Sequence, residues 1–185
     1  MDYIDISMDI ISNKIKAFDY MLQQFEQWRT DYFKSQNVSV KPLSKLIVLK
    51  LLFLTAVPKT NKGKDLLDIF NNFYALPYGP VESDIYNAIQ DNLLPSYCIK
   101  ERSVERKTLQ SYDQQDSLII EVDNALEELK NINPDIIGLS SFELVEITHK
   151  WDSWNKSIKF AEFMGRGSAK MLTEAIRSDS NKCFK

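Results

Sequence analysis

The sequence predicts a mainly α fold: a compact single-domain bundle of roughly six to eight helices, with one small β-hairpin possible near residues 95–116. Two observations predict it. Apolar residues recur every three or four positions through most of the chain, the period of helices with one buried face. Glycine and proline are scarce, at 5 and 6 of 185 residues, too few for the turns of an all-β fold. The length suits one domain with a real core, or such a domain with an appended helix.

Residues 8–35 read as one long helix. Ile11, Ile15, Phe18, Leu22, Phe25 and Tyr32 follow alternating spacings of four and three, broken in register only by Arg29. That stripe suits either a coiled-coil contact or, given its aromatics, a helix laid across its own domain. Pro42 is placed as the first residue of a second helix, which runs to about Val57 and stops before Pro58. Leu46, Ile47, Leu49, Leu51, Leu52, Phe53 and Leu54 make it apolar on most of its circumference, as expected of a central helix. Thr60 to Lys64 is a polar loop, and Leu66, Ile69, Phe70 and Phe73 then set the pattern of a short helix.

After a turn at Pro77 to Pro80, Val81 to Leu93 reads as a helix with Ile85, Ile89 and Leu93 on one side. Residues 95–116 form either a hairpin or an irregular loop. Leu118, Val122, Ala125, Leu126 and Leu129 restore helical order, which ends near Asn131 to Pro134. The clearest start signal is Ser140-Ser141-Phe142-Glu143. Ser140 can accept from the Glu143 backbone N–H while the Glu143 carboxylate accepts from that of Ser140, with Leu139 and Leu144 as a hydrophobic staple. This signal opens a helix over 141–150. A last amphipathic helix begins near Ser168 and uses Met171, Leu172, Ala175 and Ile176. Ser178 to Lys185 should fray.

The net charge of −3 and pI near 5.3 give no general attraction to nucleic acid or anionic membrane. The charge is uneven. Between Tyr112 and Asp152, ten carboxylates face only Lys130 and Lys150, which reads as solvated helix faces or as a surface that steers a basic partner. The cluster Lys100, Arg102, Arg106 and Lys107 is interleaved with Glu101 and Glu105, too weak an excess to anchor a phosphate backbone. Cys98 and Cys183 form neither a disulfide framework nor a metal or redox pair. Met1-Asp2-Tyr3-Ile4-Asp5 lacks a signal-peptide pattern, and Leu46 to Val57 is too short to span a bilayer. The expectation is a cytoplasmic protein.

No catalytic or metal residues are assigned, no cofactor is expected, and the chain is expected not to be an enzyme. His149 is the single histidine, which excludes a metal motif with two histidines. No serine lies in a GxSxG elbow. Gly165-Arg166-Gly167-Ser168 lacks the lysine and spacing of a P-loop and is equally a helix end followed by a helix start.

One constellation remains. Tyr78-Gly79-Pro80-Val81 follows the aromatic approach Phe73-Tyr74-Ala75-Leu76-Pro77, and Tyr86 lies five residues after Val81. Leu144 to His149, ending in Thr148-His149, precedes Trp154, and Lys50-Leu51-Leu52-Phe53-Leu54 lies upstream. These pieces, in this order, resemble the Panacea domain of antitoxins, a family that includes Soc-type proteolysis-adaptor antitoxins and phage-associated proteins. Pro77 departs from the pattern, where members usually carry a bulkier or polar residue. The resemblance divides the chain into an N-terminal helical extension (1–39), a Panacea-like domain (40–160) and a C-terminal helix with frayed tail (161–185).

It implies an antitoxin that neutralises a cognate protein toxin by direct binding. The alternatives are an adaptor that delivers a partner to a protease, less favoured a transcriptional regulator, and least favoured a hydrolase acting through His149. Partners are then a toxin and, for the adaptor, a protease; no membrane partner is expected and nucleic acid is disfavoured. The signature residues Tyr78, Gly79, Pro80, Val81, Tyr86, Thr148, His149 and Trp154 either build the core junction or lie beside the partner surface. Independently of any family, Gly79 can take positive φ and Pro80 fixes its own, so the pair is expected to make a sharp corner that launches a helix.

Overall fold

A computed structural model describes residues 3–185, with side chains described from residue 9 onward. Met1 and Asp2, part of the start read above for a signal peptide, lie outside the described residues. Seven α-helices and two small antiparallel sheets make up the described chain, in agreement with the mainly α expectation. No helix among the described residues is long and apolar enough to cross a membrane.

Helix α1 (Tyr3–Ser35) lies across its own domain, against a 3-10 turn at Ile136–Gly138 and helices α3 (Ser83–Gln90) and α4 (Ser117–Ile132). Phe18, Met21, Leu22 and Phe25 are fully buried, each stabilising the fold by about 1.5–3 kcal/mol. The Arg29 gap is part of the buried stripe. Its guanidinium donates to the carbonyls of Lys41 and Ile137, satisfying backbone that a hydrophobic residue would leave unpaired. Ile11, by contrast, is exposed.

Helix α2 (Lys45–Ala56) is buried on nearly every side and forms the centre of the molecule. It starts three residues later than Pro42 suggested, because Ser44 accepts from the Ile47 N–H and supplies the cap. The segments divided above at residues 39 and 160 share one core: α1, α2, α4, α5 (Ser141–His149) and α6 (Asp152–Phe163) all contribute to the same buried cluster.

Around the Tyr78 corner the structure corrects the sequence reading. Leu66 to Phe70 makes a single turn, with Phe70 N–H donating to Leu66 O. The chain then extends as strand β1 (Phe73–Leu76), which pairs antiparallel with β2 (Gly79–Glu82). The expected helix at Phe73 is lost because the Asn72 N–H is taken by the Glu82 carboxylate and Phe73 pairs with Glu82. The corner is therefore a hairpin with Pro77 and Tyr78 at its tip, and Gly79 and Pro80 belong to a strand. Helix α3 begins only at Ser83, where Glu82 accepts from the Ile85 N–H as its cap. It ends at Gln90, and a left-handed Asn92 turns Leu93 outward to the surface.

Residues Tyr97–Ile99 (β3) and Val104–Arg106 (β4) form the second hairpin. The Ser140 capping box is present with both reciprocal bonds. Helix α6, missing from the sequence reading, buries Trp154, Ile158 and Ala161. The expected helix near Ser168 is instead strand β5 (Ala169–Lys170), which pairs with β1, followed by the short α7 (Thr173–Arg177). Met171 and Ile176 are buried there and Leu172 is exposed. The tail is not frayed: Trp151 Nε1 donates to Cys183 O at 2.8 Å, and the Phe184 ring packs edge-on against Trp151.

Candidate functional site: the hairpin corner and its sockets

The hairpin tip needs only two residues because Leu76 pairs directly with Gly79, and Gly79 takes φ +96°, a conformation that glycine adopts without a Cβ penalty. Space demands glycine as well. A Cβ at Gly79 would sit 2.5 Å from Thr148 Oγ1 and 3.1 Å from Lys50 Cε. Thr148, on the last turn of α5, is fully buried and donates to Val145 O. The backbone of β2 therefore lies directly on α5 and α2. Pro80 is tolerated because β2 is an edge strand of the order β2-β1-β5.

Three side chains fasten this joint. Lys50, fully buried on α2, donates to Pro80 O at 2.7 Å. Trp154 Nε1 on α6 donates to Leu76 O at 3.0 Å. The His149 imidazole stacks on the Trp154 indole, with ring centroids 3.9 Å apart and planes 9° from parallel. Burial lowers the Lys50 pKa from 10.5 to about 7. Burial and then the nearby Lys50 charge hold the His149 pKa below its ordinary value, against smaller upward pulls from Glu146 and the Pro77 backbone. The buried His149 Nε2 has no hydrogen-bond partner among the described residues. Burial thus opposes protonation of both groups.

Of the signature residues, Gly79, Pro80, Thr148, His149 and Trp154 meet at this joint. Val81 is buried on β2. Tyr86 lies apart, beside a shallow groove of about 220 Å³ lined also by Tyr74, Leu76, Val81, Ser83 and Ser168, with the Lys45 ammonium 5.4 Å from its ring centre. Tyr78 is 70% exposed at the tip and reaches outward.

The sequence reading missed two anchors of the joint. One is Lys50, quoted above as the head of the upstream leucine-rich piece but given no site role; its signal was a cation in the middle of an otherwise apolar stretch. The other is Lys14 on α1, which is 1% exposed and donates to Glu82 at 2.7 Å and Asp84 at 2.5 Å. Nothing in the local spacing could pair Lys14 with residues seventy positions away.

Lys50 is enclosed and bonded to a carbonyl, so its amine is not presented to a substrate. Among the described residues no three His, Cys, Asp or Glu side chains converge as metal ligands. The role of the geometry is structural: it holds the hairpin against α2, α5 and α6. A family model described as antitoxin SocA-like, Panacea domain, matches residues 48–155, the stretch that contains every part of this joint except Lys14. The chain belongs to the SocA-like Panacea-domain antitoxin family. Searches of curated proteins and of solved structures return no significant match. In this Panacea domain the signature marks the junction of a hairpin with three helices. Lys14 and the whole of α1 lie outside the matched stretch, yet Lys14 ties α1 to the end of the hairpin through Glu82.

Proposed function

We propose that the protein is the antitoxin of a toxin–antitoxin pair and neutralises its cognate toxin by direct protein–protein binding in the cytoplasm. The family match over residues 48–155 carries this reading. The joint supports it chemically: its polar groups are turned inward onto backbone carbonyls, as in a scaffold, and Tyr78 is held outward on a rigid tip. A rigid scaffold lowers the ordering cost of forming an interface. On this reading the protein has no catalytic role.

Co-expression tests the proposal. The open reading frame adjacent to this gene should arrest growth when induced alone and be tolerated when this chain is co-expressed. Failure of rescue, with both proteins made, would contradict it. A protease adaptor would instead shorten the partner's half-life, and rescue would vanish in a protease-deficient host.

A further inference from the structure

The outward face of α6 does not suit a solvated helix. Trp154, Ile158 and Ala161 are its buried side. At 100° per residue, Phe160 and Phe163 fall opposite them, where a surface helix of a globular domain normally carries polar groups. Phe163 is 86% exposed, Phe160 55%, and Met164, which caps the helix, 47%. Seven of the ten phenylalanines in this chain are buried or packed on the core, so exposure of two on one turn is a local departure.

The same face is cationic. At 100° per residue Lys156 and Lys159 fall on either side of Phe163, Arg166 follows just after the helix end, and from residue 156 to residue 166 these three cations are opposed only by Glu162. None of these three cations has an ion-pair partner among the described residues, a state they share with surface cations such as Lys59 and Lys62; what sets them apart is their place beside exposed aromatic side chains. The acidic 112–152 block behaves in the opposite way. Asp116 bonds Lys16, Glu121 bonds Lys64, Asp123 accepts from Tyr20, and Glu143 closes the capping box. Much of that negative charge is committed internally, while the α6 charge is uncommitted.

We propose that the outward face of α6, centred on Phe160 and Phe163 and rimmed by Lys156, Lys159 and Arg166, is the docking surface for an acidic segment of the toxin that carries apolar anchors. This assignment rests on the antitoxin reading above. Exposed aromatics supply the central contact and the lysines the charged rim, the arrangement of a hot spot within a polar border. Charge complementarity selects the partner: unpaired cations beside an apolar centre favour carboxylates beside apolar side chains. A second copy is the weaker occupant, because this basic face could meet only a different, acidic face of its neighbour. Such a heterologous contact has no twofold symmetry to close it. An anionic membrane is also weaker, since a stripe of under two turns lacks the apolar area and charge that stable surface anchoring takes.

The test uses the full chain and the product of the adjacent open reading frame, by growth rescue and by pull-down. Two double variants, Lys156→Glu with Lys159→Glu and Phe160→Ser with Phe163→Ser, are compared with Glu127→Lys on exposed α4. Circular dichroism and melting confirm that each variant is folded. Each α6 variant should weaken binding by at least roughly 30-fold and lose rescue, while Glu127→Lys retains both. Folded α6 variants that bind and rescue like the wild type would overturn the assignment while leaving the antitoxin reading intact. No rescue by the wild type would overturn both. Loss in the α6 variants of either binding to phosphatidylglycerol vesicles or concentration-dependent self-association, with toxin binding retained, would also overturn it and name the other occupant.

Discussion

Gly79 and Tyr78 are neighbours with opposite tasks, and substitution separates them. Gly79→Ala adds a methyl at positive φ and drives it against Thr148 and Lys50, so it should destabilise the protein by about 2–4 kcal/mol. Tyr78→Ala removes an exposed ring and should change stability by no more than about 0.5 kcal/mol. Urea denaturation checks both, and equal losses would contradict the geometry. Lys50 makes the joint sensitive to pH. Folded, it releases its proton near pH 7, and unfolded near 10.5. Between those values the unfolded chain binds the extra proton, so stability rises with pH by up to about 1.4 kcal/mol per pH unit. The contribution is fully present above 10.5 and is lost as pH falls through 7. Measured from pH 7 to 9, the slope should flatten in Lys50→Met; an unchanged slope would show that Lys50 is not its source. At this scale the sequence was legible where a residue type has one plausible backbone use, as at Gly79. It was illegible at Arg29 and Lys50, where a charged side chain occupies a buried position because distant carbonyls need a donor.

Helices with clean apolar periods and side-chain caps were readable, and α4 and α5 fall within about two residues of expectation, the usual uncertainty of helix ends. The errors have a common cause in tertiary capture. Phe73 follows a helical spacing but pairs with Glu82, and Ala169 and Lys170 are drawn onto β1. Short segments have little intrinsic helical stability to resist such pairing. Helix α6 escaped notice because Phe160 and Phe163 are apolar on its outer side and blur the period that Trp154, Ile158 and Ala161 set. Long-range ion pairing was equally hidden. Lys14 ties α1 to the start of α3 through Glu82, which is fully buried. Lys14→Met leaves that carboxylate without its charged partner and should cost about 3–5 kcal/mol. A loss below about 1 kcal/mol in urea denaturation would show that the clamp is dispensable.

For the molecule as a whole, α1 and the tail complete the core of a domain whose family match begins at residue 48 and ends at residue 155. Residues Cys183 and Phe184 cover Trp151, and Phe18 to Phe25 supply part of the same buried cluster. The family was legible from the spaced signature because Gly79, Pro80, Thr148, His149 and Trp154 share one joint, which constrains them by close approach, hydrogen bonding or stacking. The docking surface proposed on α6 carries no comparable constraint, so it emerges only from exposure and unpaired charge in three dimensions. The most direct test of the account is calorimetric titration of the purified chain into the purified product of the adjacent toxic open reading frame, with no protease present. Neutralisation by direct binding requires a stoichiometric complex and a matching loss of toxin activity. Heat of dilution only, with toxin activity unchanged, would contradict neutralisation by direct binding.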